Sequence, residues 1–106
     1  MEFRTVMLSA ALLGNAAICS ANDIEIGQKD KAFTQSAVTV KVGDSVSFKN
    51  EDPFFHNVFS LSDTKTFDLG SYPKGQSKKV TFDKPGTVEV ECAIHPNMKL
   101  VVEVTK

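Results

Sequence analysis

From residue 23 onward the chain alternates. Asp23-Ile24-Glu25-Ile26 sets apolar against polar at every second position, as do Val38-Thr39-Val40-Lys41-Val42 and Val46-Ser47-Phe48. A period of two places the apolar members of a run on one face of a strand and the polar members on the other. Residues 57–61, 79–82, 87–90 and 100–104 read as four further strands. The punctuation is Gly43-Asp44, Asp52-Pro53, Gly70, Pro73 to Gly75, Pro85-Gly86 and Pro96-Asn97. These residue types favour turns. Short strands at this spacing predict an all-β sandwich or barrel. Its expected core is Val38, Val40, Val46, Phe48, Phe82, Val88, Val90, Val102 and Val104, and Lys78-Lys79 is expected on a solvated strand face.

The first residues follow a different rule. Arg4 precedes an apolar stretch from Val6 to Ile18, and Cys19-Ser20-Ala21 supplies the small residues of a cleavage site. This layout predicts a signal peptide over residues 1–21, with cleavage near Ala21. The run is shorter than the roughly 20 apolar residues of a membrane span, so stable membrane insertion is not expected after cleavage. Lipoprotein processing before Cys19 fits less well, because Ile18 is large. The expected product is one exported, periplasmic domain, residues 22–106, and a monomer.

Composition adds an exclusion. The formal net charge is -1, with 42% hydrophobic and 24% charged residues. Such a balance offers no basic field for nucleic acid or an anionic membrane and suits transient protein partners.

The chemistry concentrates in four residues. After removal of the leader the chain keeps two histidines, His56 and His95, and a single cysteine, Cys92. A lone thiol in an exported protein cannot form an internal disulfide, and metal ligation gives it a role. The loop Cys92-Ala93-Ile94-His95-Pro96-Asn97-Met98 holds three candidate ligands, and His56 stands far upstream. Two imidazoles and a thiolate with a weak thioether form the donor set of electron-transfer copper. The thiolate supports Cu(II), the thioether favours Cu(I), and a stiff fold limits rearrangement between them. No strong ligand is left for a substrate to displace, so the chain is not expected to be an enzyme. Structural zinc would want a fourth strong donor, which Met98 does not supply. A cysteine hydrolase would leave Met98 and the second histidine unexplained.

The sequence resembles the cupredoxins, the family of plastocyanin, amicyanin and pseudoazurin. The likeness runs through Phe33, Ala37 to Val46, Phe48-Lys49-Asn50-Glu51-Asp52, His56-Asn57-Val58 and Pro85-Gly86-Thr87 to the Cys92 loop and the last strand. The short Cys-x2-His-x2-Met loop is most similar to that of amicyanin. The resemblance implies a Greek-key β-sandwich of about seven to eight strands with one copper at one end. It implies His56 as upstream ligand, Cys92, His95 and Met98 as loop ligands, and Asn57 as the residue that bridges the two loops and hydrogen-bonds toward the thiolate. The family often has an aromatic residue before the cysteine and proline before each histidine; here stand Glu91, Phe55 and Ile94. The expected function is a single-electron shuttle between redox proteins, such as a cytochrome or a metalloenzyme. Its docking rim would include Phe54, Phe55 and Pro96. The alternative is copper storage, delivery or resistance with the same ligands.

Overall fold

Alternation does produce strands, but sheet pairing extends most of them past their apolar runs. The computed structural model describes residues 21–106. The expected leader lies outside the described residues, except Ala21. The strands are β1 (Asp23–Lys29), β2 (Ala32–Phe33), β3 (Ala37–Lys41), β4 (Ser45–Asn50), β5 (His56–Ser62), β6 (Lys65–Tyr72), β7 (Ser77–Thr81), β8 (Gly86–Cys92) and β9 (Lys99–Thr105). One sheet runs β2-β1-β4-β7 and the other β3-β9-β8-β5-β6. The pairs β1·β4 and β3·β9 are parallel, and the remaining pairs are antiparallel. The all-β sandwich is therefore present, with nine strands among the described residues rather than seven or eight.

The two additional strands have physical reasons for escaping notice. Strand β2 is two residues long. Strand β6 carries a β-bulge, because its register with β5 shifts between Asn57 and Phe59. Gly70 accommodates it at φ 71°. A bulge inserts a residue and breaks the period of two, so Gly70 reads as a turn when it lies inside a strand.

The core lies between the sheets. Ile26, Val46, Phe48, Val58, Val88, Val90, Leu100 and Val102 are fully buried, with Val40, Phe82 and Val104 nearly so. Each such side chain stabilises the fold by roughly 1.5–3 kcal/mol relative to exposure. Val38 is only partly buried, on the edge strand β3. One polar element crosses the core. The Tyr72 hydroxyl donates to the Phe48 carbonyl at 2.8 Å and accepts from Gln28 Nε2 at 2.8 Å. Burial pushes its pKa up to about 12, so the hydroxyl stays protonated and keeps donating.

Three junctions at one end of the sandwich shape the site. Lys29 and Ala32 close a two-residue turn in which Asp30 and Lys31 have φ of 56° and 61°. Two successive positive φ angles match the twist of a hairpin. At the end of β4 the buried side chain of Asn50 donates to the carbonyls of Phe54 and Tyr72 at 2.8 and 2.9 Å. Its Oδ1 accepts from the Asp52 N–H at 2.8 Å. These bonds fold residues 51–55 back so that β5 begins at His56. The β6–β7 loop is pinned to the same strand end by the Gly75 N–H donating to the Asn50 carbonyl at 2.7 Å.

Candidate metal centre

His56 is the first residue of β5, opposite Tyr72 on β6, and is fully buried. Cys92 is the last residue of β8 and pairs with Val58 on β5. Two adjacent antiparallel strands thus bring together residues distant in sequence. The loop then turns back. The Met98 N–H donates to the His95 carbonyl at 2.9 Å and returns the chain to β9, which leaves Met98 fully buried and His95 half-buried.

The donor atoms converge. Cys92 Sγ lies 3.7 Å from His56 Nδ1 and 3.8 Å from His95 Nδ1. One donor atom from each of the three residues lies within 4.8 Å of the others. A metal at about 2.0 Å from nitrogen and 2.3 Å from sulfur in a trigonal plane would separate them by roughly 3.8 Å. The spacing therefore fits a single ion, and with the buried Met98 thioether nearby the donors suit copper rather than zinc.

Asp52 holds the far side of His56. The imidazole donates Nε2–H to Asp52 Oδ2 at 2.7 Å. That bond fixes the tautomer, leaving the Nδ1 lone pair facing Cys92. The Asp52 carboxylate also accepts the N–H groups of Asp30 at 2.7 Å and Lys31 at 3.1 Å, so the hairpin turn braces it in place. Burial opposes ionisation of this carboxyl. The hydrogen bonds from His56, Lys31 and Asp30 outweigh burial and hold the carboxyl below the usual range. The turn geometry costs about 1–2 kcal/mol at Lys31, a residue type that rarely enters this region. In the sequence Asp52 reads as turn punctuation beside Pro53, and its hold on His56 is not apparent there. The available signal was a carboxylate four residues before a candidate ligand histidine.

His95 is held differently. Its ring lies 5.4 Å from that of Phe54 and 4.9 Å from that of His56. Desolvation lowers its pKa, and the charges of His56 and Lys31 act in the same direction. Phe54 also meets His56 edge-on at 5.3 Å and is half-buried between the two imidazoles. Phe55, Ile94 and Pro96 are exposed around this end, Phe55 at 54% and Ile94 at 53%. Ile94 was not singled out from the sequence. Asn57 is half-buried, and its main-chain carbonyl accepts the Ala93 N–H at 3.3 Å, which ties the two ligand loops together through the backbone.

Comparison with known proteins agrees with this geometry. Residues 20–105 match the family described as copper binding proteins, plastocyanin/azurin family. The methylamine utilization protein MauL of Methylorubrum extorquens is 29% identical, over 94% of this chain and 89% of that protein. The chloroplastic plastocyanin of Physcomitrium patens is 32% identical, over 96% of this chain and 68% of that protein. A reduced variant of amicyanin superposes with a TM-score of 0.72 at 26% identity, covering 81% of this chain and 85% of that one. A copper-containing nitrite reductase from Thermus scotoductus shares the fold at a TM-score of 0.75, with this chain spanning 23% of its length. The chain belongs to the plastocyanin/azurin family of copper-binding proteins, the cupredoxins, and its cofactor is one copper ion.

Proposed function

We propose that this protein is an exported single-electron carrier whose copper is held by His56, Cys92, His95 and Met98. The observation that carries the reading is the convergence of both Nδ1 atoms on Cys92 Sγ, at 3.7 and 3.8 Å. Bound there, copper supplies a one-electron couple. The chain's own part is to limit movement between oxidation states. His56 is anchored through Asp52 to the β1–β2 turn, Cys92 sits in a paired strand, and Met98 is buried in the core. Burial of three of the four proposed ligands favours a carrier over a delivery protein, because release would require opening the core.

His95 is the half-buried ligand and the point where an electron would enter or leave. Phe54, Phe55, Ile94 and Pro96 around it are the proposed docking rim. Asn57 is proposed to keep the two ligand loops in register and to hydrogen-bond toward the thiolate. The Arg4-led apolar segment supports export, with cleavage near Ala21, and the exported domain is proposed to work as a monomer with transient redox partners. The test is optical and electrochemical. The Cu(II) protein should show an intense visible thiolate-to-copper band that bleaches on reduction, with a reversible voltammetric wave. A colourless Cu(II) protein, or one that loses copper at each reduction, would reject the carrier.

A further inference from the structure

The metal end carries a charged flank that the proposed function does not use. A hollow of about 340 Å³ is lined by Lys29, Lys49, Asn50, Glu51, Lys74 and Gly75. Next to it a second hollow of about 430 Å³ is lined by Asp30, Lys31, Asp52, Pro53 and Phe54. Their linings are neighbours in the chain at Lys29-Asp30, in the β1–β2 hairpin, and at Glu51-Asp52, after β4. Lysines from three separate stretches of chain therefore gather at one place. Their backbones are fixed. Lys29 and Lys49 lie on adjacent parallel strands, and the Lys74 loop is tied to Asn50 by hydrogen bonds of 2.7 and 3.0 Å.

Charge and position together give the flank a direction. Four lysines stand there against two exposed acids, Asp30 and Glu51, while Asp52 is buried and engaged with His56. The whole chain has a net charge of -1, so the remainder is net negative and the molecule is electrically polarised. Among the described residues, Lys65 and Lys79 instead pair with Asp83 and Asp23. The flank is also continuous with the electron port. Lys31 Nζ lies 6.0 Å from the centre of the Phe54 ring, and that ring lies 5.4 Å from His95.

Building on the electron-carrier reading, we propose that Lys29, Lys31, Lys49 and Lys74 receive an acidic surface of a redox protein and steer it onto the rim at His95. Fixed cations beside a low-polarity rim raise the encounter rate of an anionic partner and set its orientation. The Debye length is about 10 Å at 0.1 M salt, so the effect belongs to low and moderate ionic strength.

The first test needs no electron transfer. The Cu(I) protein is titrated with the paramagnetic anion hexacyanochromate(III), and amide broadening is mapped by NMR. Broadening should centre on residues 29–31, 49–51 and 74–75. It should vanish in high salt and in the Lys29→Glu/Lys49→Glu/Lys74→Glu variant. Broadening spread evenly over the surface, or centred on Lys65, Lys84 or Lys106, would overturn the proposal. The second test compares oxidation by hexacyanoferrate(III) and by tris(phenanthroline)cobalt(III). The anionic oxidant should slow on the order of tenfold as salt rises, whereas a net charge of -1 acting alone would make it accelerate. Oxidation by both reagents without that sign rejects the steering, and oxidation by neither rejects the electron carrier. Finally, polyglutamate should shift the amides of the lysine flank, while phosphatidylglycerol vesicles should not retain the protein. Retention on the vesicles with the lysine amides affected would replace the acidic protein by a membrane surface.

Discussion

The two histidines are held by opposite means. His56 opens a strand, is fully buried, and has its outer nitrogen engaged by a carboxylate that is itself fixed by two main-chain N–H groups. His95 sits on the loop between β8 and β9, is half-buried, and leans on one phenylalanine ring. The difference teaches how a small protein can divide one site between rigidity and access. One imidazole is set by a chain of hydrogen bonds reaching β1. The other is left half-buried at the surface, on the side where the proposed redox partner would dock.

The strongest disturbance is loss of the atom both arms share. Cys92→Ala should abolish the visible band and remove most copper affinity, read by absorption and metal titration. Among the described residues no other thiol can replace it. An intense band surviving in that variant would mean the donors are elsewhere.

The next largest effect separates the arms. Asp52→Asn keeps the shape but weakens the brace on His56. Partners of this kind are worth about 10–100-fold in metal affinity. Phe54→Ala removes the contact shared by the two rings without touching that brace and should cost less affinity. A competition titration against a chelator ranks the two. Equal losses would show that the Asp52 brace is not what distinguishes His56.

The pH dependence of the metal-free protein should show the same division. The His95 pKa is lowered from 6.5 by desolvation and then by His56 and Lys31, so folding favours its neutral form. That contribution is present above pH 6.5 and is lost as pH falls through the folded value. The Asp52 carboxyl resists burial through its hydrogen bonds and lies below 3.8, so its contribution is lost only below that pH. Chemical denaturation across the acid range should give a first decline below 6.5 and a second below 3.8. Asp52→Asn should shrink the second decline and leave the first, because hydrogen bonds also hold the Asp44 and Asp23 carboxyls below 3.8; an unchanged second decline would assign the acid step to those two carboxyls.

The smallest expected effect is at Met98. Met98→Leu keeps the trigonal donors and the buried volume, so copper should remain bound. The reduction potential should rise, because a weak ligand to Cu(II) becomes a hydrocarbon. Voltammetry decides it; failure to bind copper would make Met98 a main ligand of the centre.

Much of this was readable from residue order. The alternation of β3, β4, β8 and β9 marks strands whose inner residues face a dry core, and the Cys92–Met98 loop carries its donor types in plain view. What escaped reading depends on contacts across the fold. Strand β6 was hidden by its bulge at Gly70. Asp52 looks like any turn residue until the β1–β2 hairpin delivers two N–H groups to it. Val38 alternates correctly, yet lies on an edge strand where the second sheet covers it incompletely. Lys29, Lys49 and Lys74 become neighbours only through the parallel pairing of β1 with β4 and the loop tied to Asn50.

The other parallel pairing, of β3 with β9, has a kinetic consequence. Ala37 on β3 lies beside Val101 on β9, so the second sheet cannot be completed until nearly the whole domain has been gathered. Such distant pairings place folding in the range of milliseconds to seconds. Cys92, His95 and Met98 are local and available throughout that interval, while His56 joins only when β5 meets β8. In the proposed ligand set the three loop donors are thus contiguous before the sheet closes, and His56 completes the set with the pairing of β5 and β8.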